Sequence, residues 1–136
     1  MPHLIIEYSA NVADLVDIDE LVDAVHDAAL ATGIAPLDAL RTRAVGREHY
    51  AIADRDPANA FVALTARLGA GRTDAEKRTL IDALMAALDQ ALGDAQRNVM
   101  LSVEFQSIDP DLRINKNNLR TVIAERHTGT TKHETE

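Results

Sequence analysis

Pro2 stands directly behind Met1 and opens onto a short apolar run, Leu4-Ile5-Ile6. Proline at the second position is small enough for Met1 to be removed, and the resulting chain begins with a secondary amine fixed to the end of a strand. An α-amino group titrates at roughly 7.7–8.0. Proline's amine is intrinsically more basic, and burial or neighbouring cations lower its pKa by disfavouring the charged form. An amine that is neutral near operating pH serves as a general base. Proline makes up roughly 5% of residues in any chain, so Pro2 needs corroboration before it carries an argument.

Three arginines are the other candidates for chemistry. Arg72 follows Gly69-Ala70-Gly71 and sits just ahead of a helix start, where a positive charge is mildly unfavourable. That mismatch favours a substrate clamp over a solvated side chain. Arg41 and Arg43 share one face of a strand, and one of the two is expected in the site, with Arg41 preferred; the alternative is an exposed ion pair. Arginine grips carboxylates in a bidentate fork and never deprotonates. The other chemistry-bearing residues read as structural. His3 adjoins Pro2, but its side chain points away from those of its neighbours in the strand. Glu7 must find a partner if it is buried. His26, His49, His127 and His133 show no ligand spacing, so no metal site is expected. Gly69 and Gly71 shape a turn, since no lysine follows them as a phosphate loop requires.

The elements that must hold these residues follow from periodicity. Leu4 to Tyr8 is apolar at almost every position, as in a strand covered on both faces. Asp17 with Glu20 resembles a capping box, and Leu21, Val22, Val25, Ala28 and Ala29 recur at helical spacing up to Thr32-Gly33. Leu40 to Val45 alternates as a strand, and Glu48 to Ala53 is read as its extended continuation before a turn over 54–59. The pattern then repeats. Ala60 to Leu68 is a strand, Thr73 and Glu76 form a second capping box, Leu80, Ile81, Leu84, Met85, Leu88 and Leu92 make an apolar stripe ending at Gly93, and Val99 to Phe105 is a fourth strand.

Leu21, Val22, Val25 and Ala29 fall on Leu80, Ile81, Leu84 and Leu88 at one constant offset, which marks an internal duplication. The expected fold is α+β in two layers: duplicated βαβ units, about 2–48 and 60–107, form a four-stranded mixed sheet with two helices on one face. The bare face of such a sheet is a subunit interface. An arm over 108–126 includes a short helix from Leu119 to Glu125. Lys116, Asn117 and Asn118 either cap that arm or touch a neighbour's site. The polar stretch 127–136 is expected to lack fixed structure.

Bulk properties narrow the partners. The length, 136 residues, suits one domain, taken as 1–126 with its tail. A net charge of −8 with no basic run argues against nucleic acid and anionic membranes. There is no cysteine, hence no disulfide and no thiolate chemistry. No apolar run approaches the roughly eighteen residues needed to cross a bilayer, and no signal peptide is read ahead of the first strand, so a cytoplasmic protein is expected.

Pro2 opening a strand, a duplicated βαβ layout and Gly69-Ala70-Gly71-Arg72-Thr73 before the second helix together resemble the tautomerase superfamily. From Pro2 to about Ile123 the chain is most similar to the 5-carboxymethyl-2-hydroxymuconate isomerase family. The ordered phrases are Pro2-His3-Leu4-Ile5-Ile6-Glu7, Ala31-Thr32-Gly33-Ile34, Arg41-Thr42-Arg43, Gly69-Ala70-Gly71-Arg72 and Lys116-Asn117-Asn118. The resemblance implies a homotrimer with three active sites and no cofactor. It implies an isomerase of bacterial homoprotocatechuate breakdown that moves a double bond and turns a dienol polycarboxylate into a ketone, with Pro2 as the base. Two other readings stand beside it: a tautomerase acting on a different enol or keto acid, and a non-enzymatic trimeric α/β binding protein in which Pro2 only starts a strand.

Overall fold

The computed structural model describes residues 2–135, from residue 129 on as backbone alone. Among the described residues four strands and three α-helices follow one another, with short 3-10 turns between some of them: β1 (His3–Ser9), α1 (Ile18–Ala31), β2 (Arg41–Arg47), β3 (Ala60–Gly69), α2 (Asp74–Leu92), β4 (Val99–Ile108) and α3 (Leu119–Thr135). The sheet order is β2-β1-β3-β4. β1 runs parallel to β2, β3 runs parallel to β4, and the two pairs meet antiparallel along β1 and β3. The result is the four-stranded mixed sheet built from two βαβ units.

Each unit buries the same pattern. Leu4 and Ile6 of β1, and Val62, Leu64, Ala66 and Leu68 of β3, are buried against the helices. Leu21, Val25 and Ala29 of α1 meet them, as do Leu80, Leu84 and Leu88 of α2, and these two triplets keep the offset seen in the sequence. Burying a leucine side chain contributes roughly 1.5–3 kcal/mol, so the α2 stripe is a large share of what holds the layers together.

Local chemistry sets the helix ends. The Asp17 carboxylate accepts from the Glu20 N–H at 3.1 Å, but only α2 has the full reciprocal box between Thr73 and Glu76. Gly33, with φ +73°, takes the left-handed turn that ends α1 at no side-chain cost.

Three expectations are corrected. Residues 48–53 do not extend β2: the chain turns at Ala53 (φ 49°) and Arg55 (φ 66°), tied by the Asn59 side chain to the Ile52 carbonyl and the Asp54 carboxylate. β4 continues past Phe105 to Ile108, because β3 offers it a register partner as far as Gly69. α3 runs past Glu125 to Thr135, into the stretch expected to lack structure; no proline interrupts it.

The second face of the sheet is the one turned away from α1 and α2. His3, Ile5 and Glu7 of β1 lie on it with Arg41, Arg43, Val45 and Arg47 of β2, following the register of the parallel pair. Glu7, expected to need a partner, pairs with Arg47 at 2.7 Å. Among the described residues no helix is long and apolar enough to cross a membrane.

Candidate active site

Pro2 is fully buried. Its carbonyl accepts the backbone N–H of Arg41 at 3.2 Å, which ties the start of β1 to the start of β2. It lines a cavity of about 360 Å³, with Pro36 and Ala39 of the loop before β2 as apolar wall. The polar wall is basic: Arg72, Arg113 and Arg120, with Asn115 and Asn117.

Arg72 is held rigidly. Its Nη1 donates to the Gly69 carbonyl at 2.9 Å and its Nη2 to the Ile34 carbonyl at 3.2 Å. The guanidinium therefore bridges the end of β3 and the end of the first helical unit, on the same side of the molecule as Pro2. Two hydrogen bonds from Thr73, backbone first and hydroxyl second, hold the exposed Glu76 carboxyl below the usual carboxylate range, and the Arg72 charge adds a smaller pull.

The C-terminal arm closes the cavity. Asn117 donates from Nδ2 to the Asp38 carbonyl at 2.8 Å, and its Oδ1 accepts from the Leu119 N–H at 3.0 Å. It therefore caps α3 and anchors the arm at once, which joins one of the two roles left open from sequence to a contact with this chain's own Asp38. Arg120 donates from Nε to the Asp38 carboxylate at 2.8 Å. Three guanidinium groups and no carboxylate among the described residues lining it leave the cavity cationic on a chain whose net charge is −8.

The structure brings Pro2 and Arg72 together and sets Arg41 and Arg43 apart from the cavity. Their side chains turn to His3 on the open face: Arg41 Nη1 lies 3.1 Å from His3 Nε2, and Arg43 Nη1 lies 3.1 Å from His3 Nδ1. A neutral imidazole accepts at one nitrogen only, so one of these two contacts is a hydrogen bond at a time. Burial, then the charges of Arg41, Arg43 and Arg67, lowers the His3 pKa from 6.5 to about 4. Arg41 still borders the site, since its Nε donates to the carbonyl of Ala39 at 3.1 Å.

Arg113 and Arg120 were not singled out from the sequence. The available signal was weak: Arg113, Lys116 and Arg120 crowd one short arm of an otherwise acidic chain. A larger cavity of about 790 Å³ lies between α1 and α2, but alanines line most of it and no cation or histidine faces it. Among the described residues no group of three or more His, Asp or Glu could hold a metal ion.

Comparisons with known proteins bear on the family and the fold. The family model for 5-carboxymethyl-2-hydroxymuconate isomerase matches residues 2–123. A curated Escherichia coli protein, 5-carboxymethyl-2-hydroxymuconate Delta-isomerase, is 31% identical over 129 residues, which is 90% of this chain and 98% of that protein. The crystal structure of a 5-carboxymethyl-2-hydroxymuconate isomerase from Deinococcus radiodurans R1 is 36% identical and superimposes with a TM-score of 0.82, covering 90% of this chain and 93% of that one. A structure described as a fused 4-OT wild-type symmetric trimer is 25% identical with a TM-score of 0.56, over 90% of this chain and 98% of that one.

Proposed function

The chain belongs to the 5-carboxymethyl-2-hydroxymuconate isomerase family, and we propose that it converts 5-carboxymethyl-2-hydroxymuconate to its keto isomer with Pro2 as the general base. The observation that carries this reading is the burial of Pro2 in a cavity walled by three arginines. Removal of Met1 frees the proline nitrogen. A buried amine close to cations favours its neutral form.

The nitrogen takes the hydroxyl proton of the dienol. The O–H bond breaks, a carbonyl forms, the double bonds shift along the chain, and the proton is delivered to carbon at the far end of the conjugated system. Protons and electrons balance without an added oxidant or reductant. Negative charge gathers on the enol oxygen as the proton leaves, and Arg72, fixed by two backbone carbonyls, is a preorganised cation for it. Arg41, whose Nε is bonded to the carbonyl of Ala39 beside the cavity, stands outside the lining as a second candidate substrate contact, and Arg43 faces the subunit boundary.

The assembly is a homotrimer that pairs the open sheet faces of its subunits. The uncovered face bearing Ile5, Val45 and Phe61 supports this, as does the trimeric description of the fused 4-OT neighbour. The second reading is a tautomerase for another enol acid. Ultraviolet absorbance separates the two: rapid loss of the 5-carboxymethyl-2-hydroxymuconate dienol signal is expected. Conversion of phenylenolpyruvate alone would replace the first reading with the second.

A further inference from the structure

We propose that Arg113 holds a carboxylate of the substrate in the Pro2 cavity and so selects polycarboxylate substrates. This rests on the isomerase reading and gives one of the three cavity arginines a task that reading leaves unassigned.

Arg113 follows the short turn Pro110–Leu112 with an extended backbone, φ −142° and ψ 152°. Its neighbours invert the usual preference. Leu112 is 84% exposed and Ile114 is 99% exposed, while the charged residue between them turns inward and lines the cavity. Apolar side chains ordinarily take the interior and arginine the surface. The Arg113 Nη1 is buried and has no hydrogen-bond partner among the described residues. A buried donor left unmade is costly, and more so when it is charged. Folding alone does not explain such a group, and an arriving anion does.

The position of the fork names the anion. A Cβ added at Gly69 would lie 3.0 Å from the Arg113 Nη2, so the guanidinium rests against the bare backbone of that residue. Arg72 donates to the carbonyl of the same Gly69. Two guanidinium groups thus gather at one glycine. No carboxylate is among the described residues lining the cavity, and Asp38, next to Ala39 of that lining, is already engaged by Arg120. A planar carboxylate matches the arginine fork with two parallel hydrogen bonds, and a substrate with several carboxylates offers one to this end of the cavity while another meets Arg72.

The test is calorimetric binding of tricarballylate, a stable tricarboxylate with no enol, to the full-length wild type, Arg113→Gln and Arg113→Lys. The expected result is binding by the wild type, a loss of roughly tenfold or more in Arg113→Gln, and partial recovery in Arg113→Lys, as for a hydrogen bond to a charged group. Should Arg113→Gln fail to fold, Arg113→Lys decides, with affinity a few-fold below wild type expected. Equal affinity in the folded variants, or no binding by the wild type, overturns the proposal. Absence of 5-carboxymethyl-2-hydroxymuconate turnover by a wild type that shows this binding pattern would sink the isomerase reading and leave Arg113 a carboxylate site.

Discussion

At the residue scale, Pro2 and His3 are neighbours with opposite surroundings. Pro2 faces the cavity; His3 faces the open side of the sheet between Arg41, Arg43 and Arg67. A ring whose pKa is about 4 when folded and 6.5 when unfolded binds its proton first in the unfolded chain. Its contribution to stability is therefore complete above pH 6.5, declines as the pH falls from 6.5 to 4, and changes no further below. His3→Gln is expected to flatten the thermal midpoint across that window relative to wild type; parallel curves would show that the ring is not held neutral. Pro2→Ala is expected to lower turnover by roughly tenfold or more with the assembly intact. Pro2 and Arg72 were legible in the sequence because each is marked locally, one by its position and the other by a glycine loop at a helix start. Arg113 and Arg120 were not, because they reach the cavity only when the arm folds back on Asp38. The alternation of Arg41 and Arg43 was readable, but which sheet face meets the cavity was not.

At the scale of elements, α1 and α2 could be read because their buried leucines, valines and alanines repeat at helical spacing. β4 and α3 ended elsewhere than expected because pairing with β3 and the lack of a proline, rather than local composition, decide where they stop. The arm is the element on which the cavity depends most. Asn117 and Arg120 bind it to Asp38, and Asn117 also caps α3. Asn117→Ala is expected to cost about 0.5–2 kcal/mol as a lost cap and to raise KM while the core stays folded. Denaturant unfolding and steady-state kinetics check both parts; a variant with normal KM would show that the arm does not shape the cavity.

For the whole molecule, an acidic chain concentrates cations in two places, the Pro2 cavity and the open sheet face. The first suits an anionic substrate. The second suits a neighbour that supplies countercharge and apolar contact, and Ile5 lies in its middle beside Arg43 and Thr65. Ile5→Arg adds a cation at the proposed trimer interface and is expected to convert trimer to monomer by light scattering. An unchanged trimer would move the interface elsewhere. The sequence showed that one face needed a cover, through the apolar run of β1, but a single chain's pattern does not encode how many copies close around it.

In the proposed reaction the free nitrogen of Pro2 moves the proton. The most direct test of that step measures 5-carboxymethyl-2-hydroxymuconate turnover by two preparations whose intact masses show the chain with Met1 and without it. Turnover is expected from the chain that begins at Pro2, with loss of roughly tenfold or more when Met1 acylates that nitrogen. Equal rates from both preparations would contradict it.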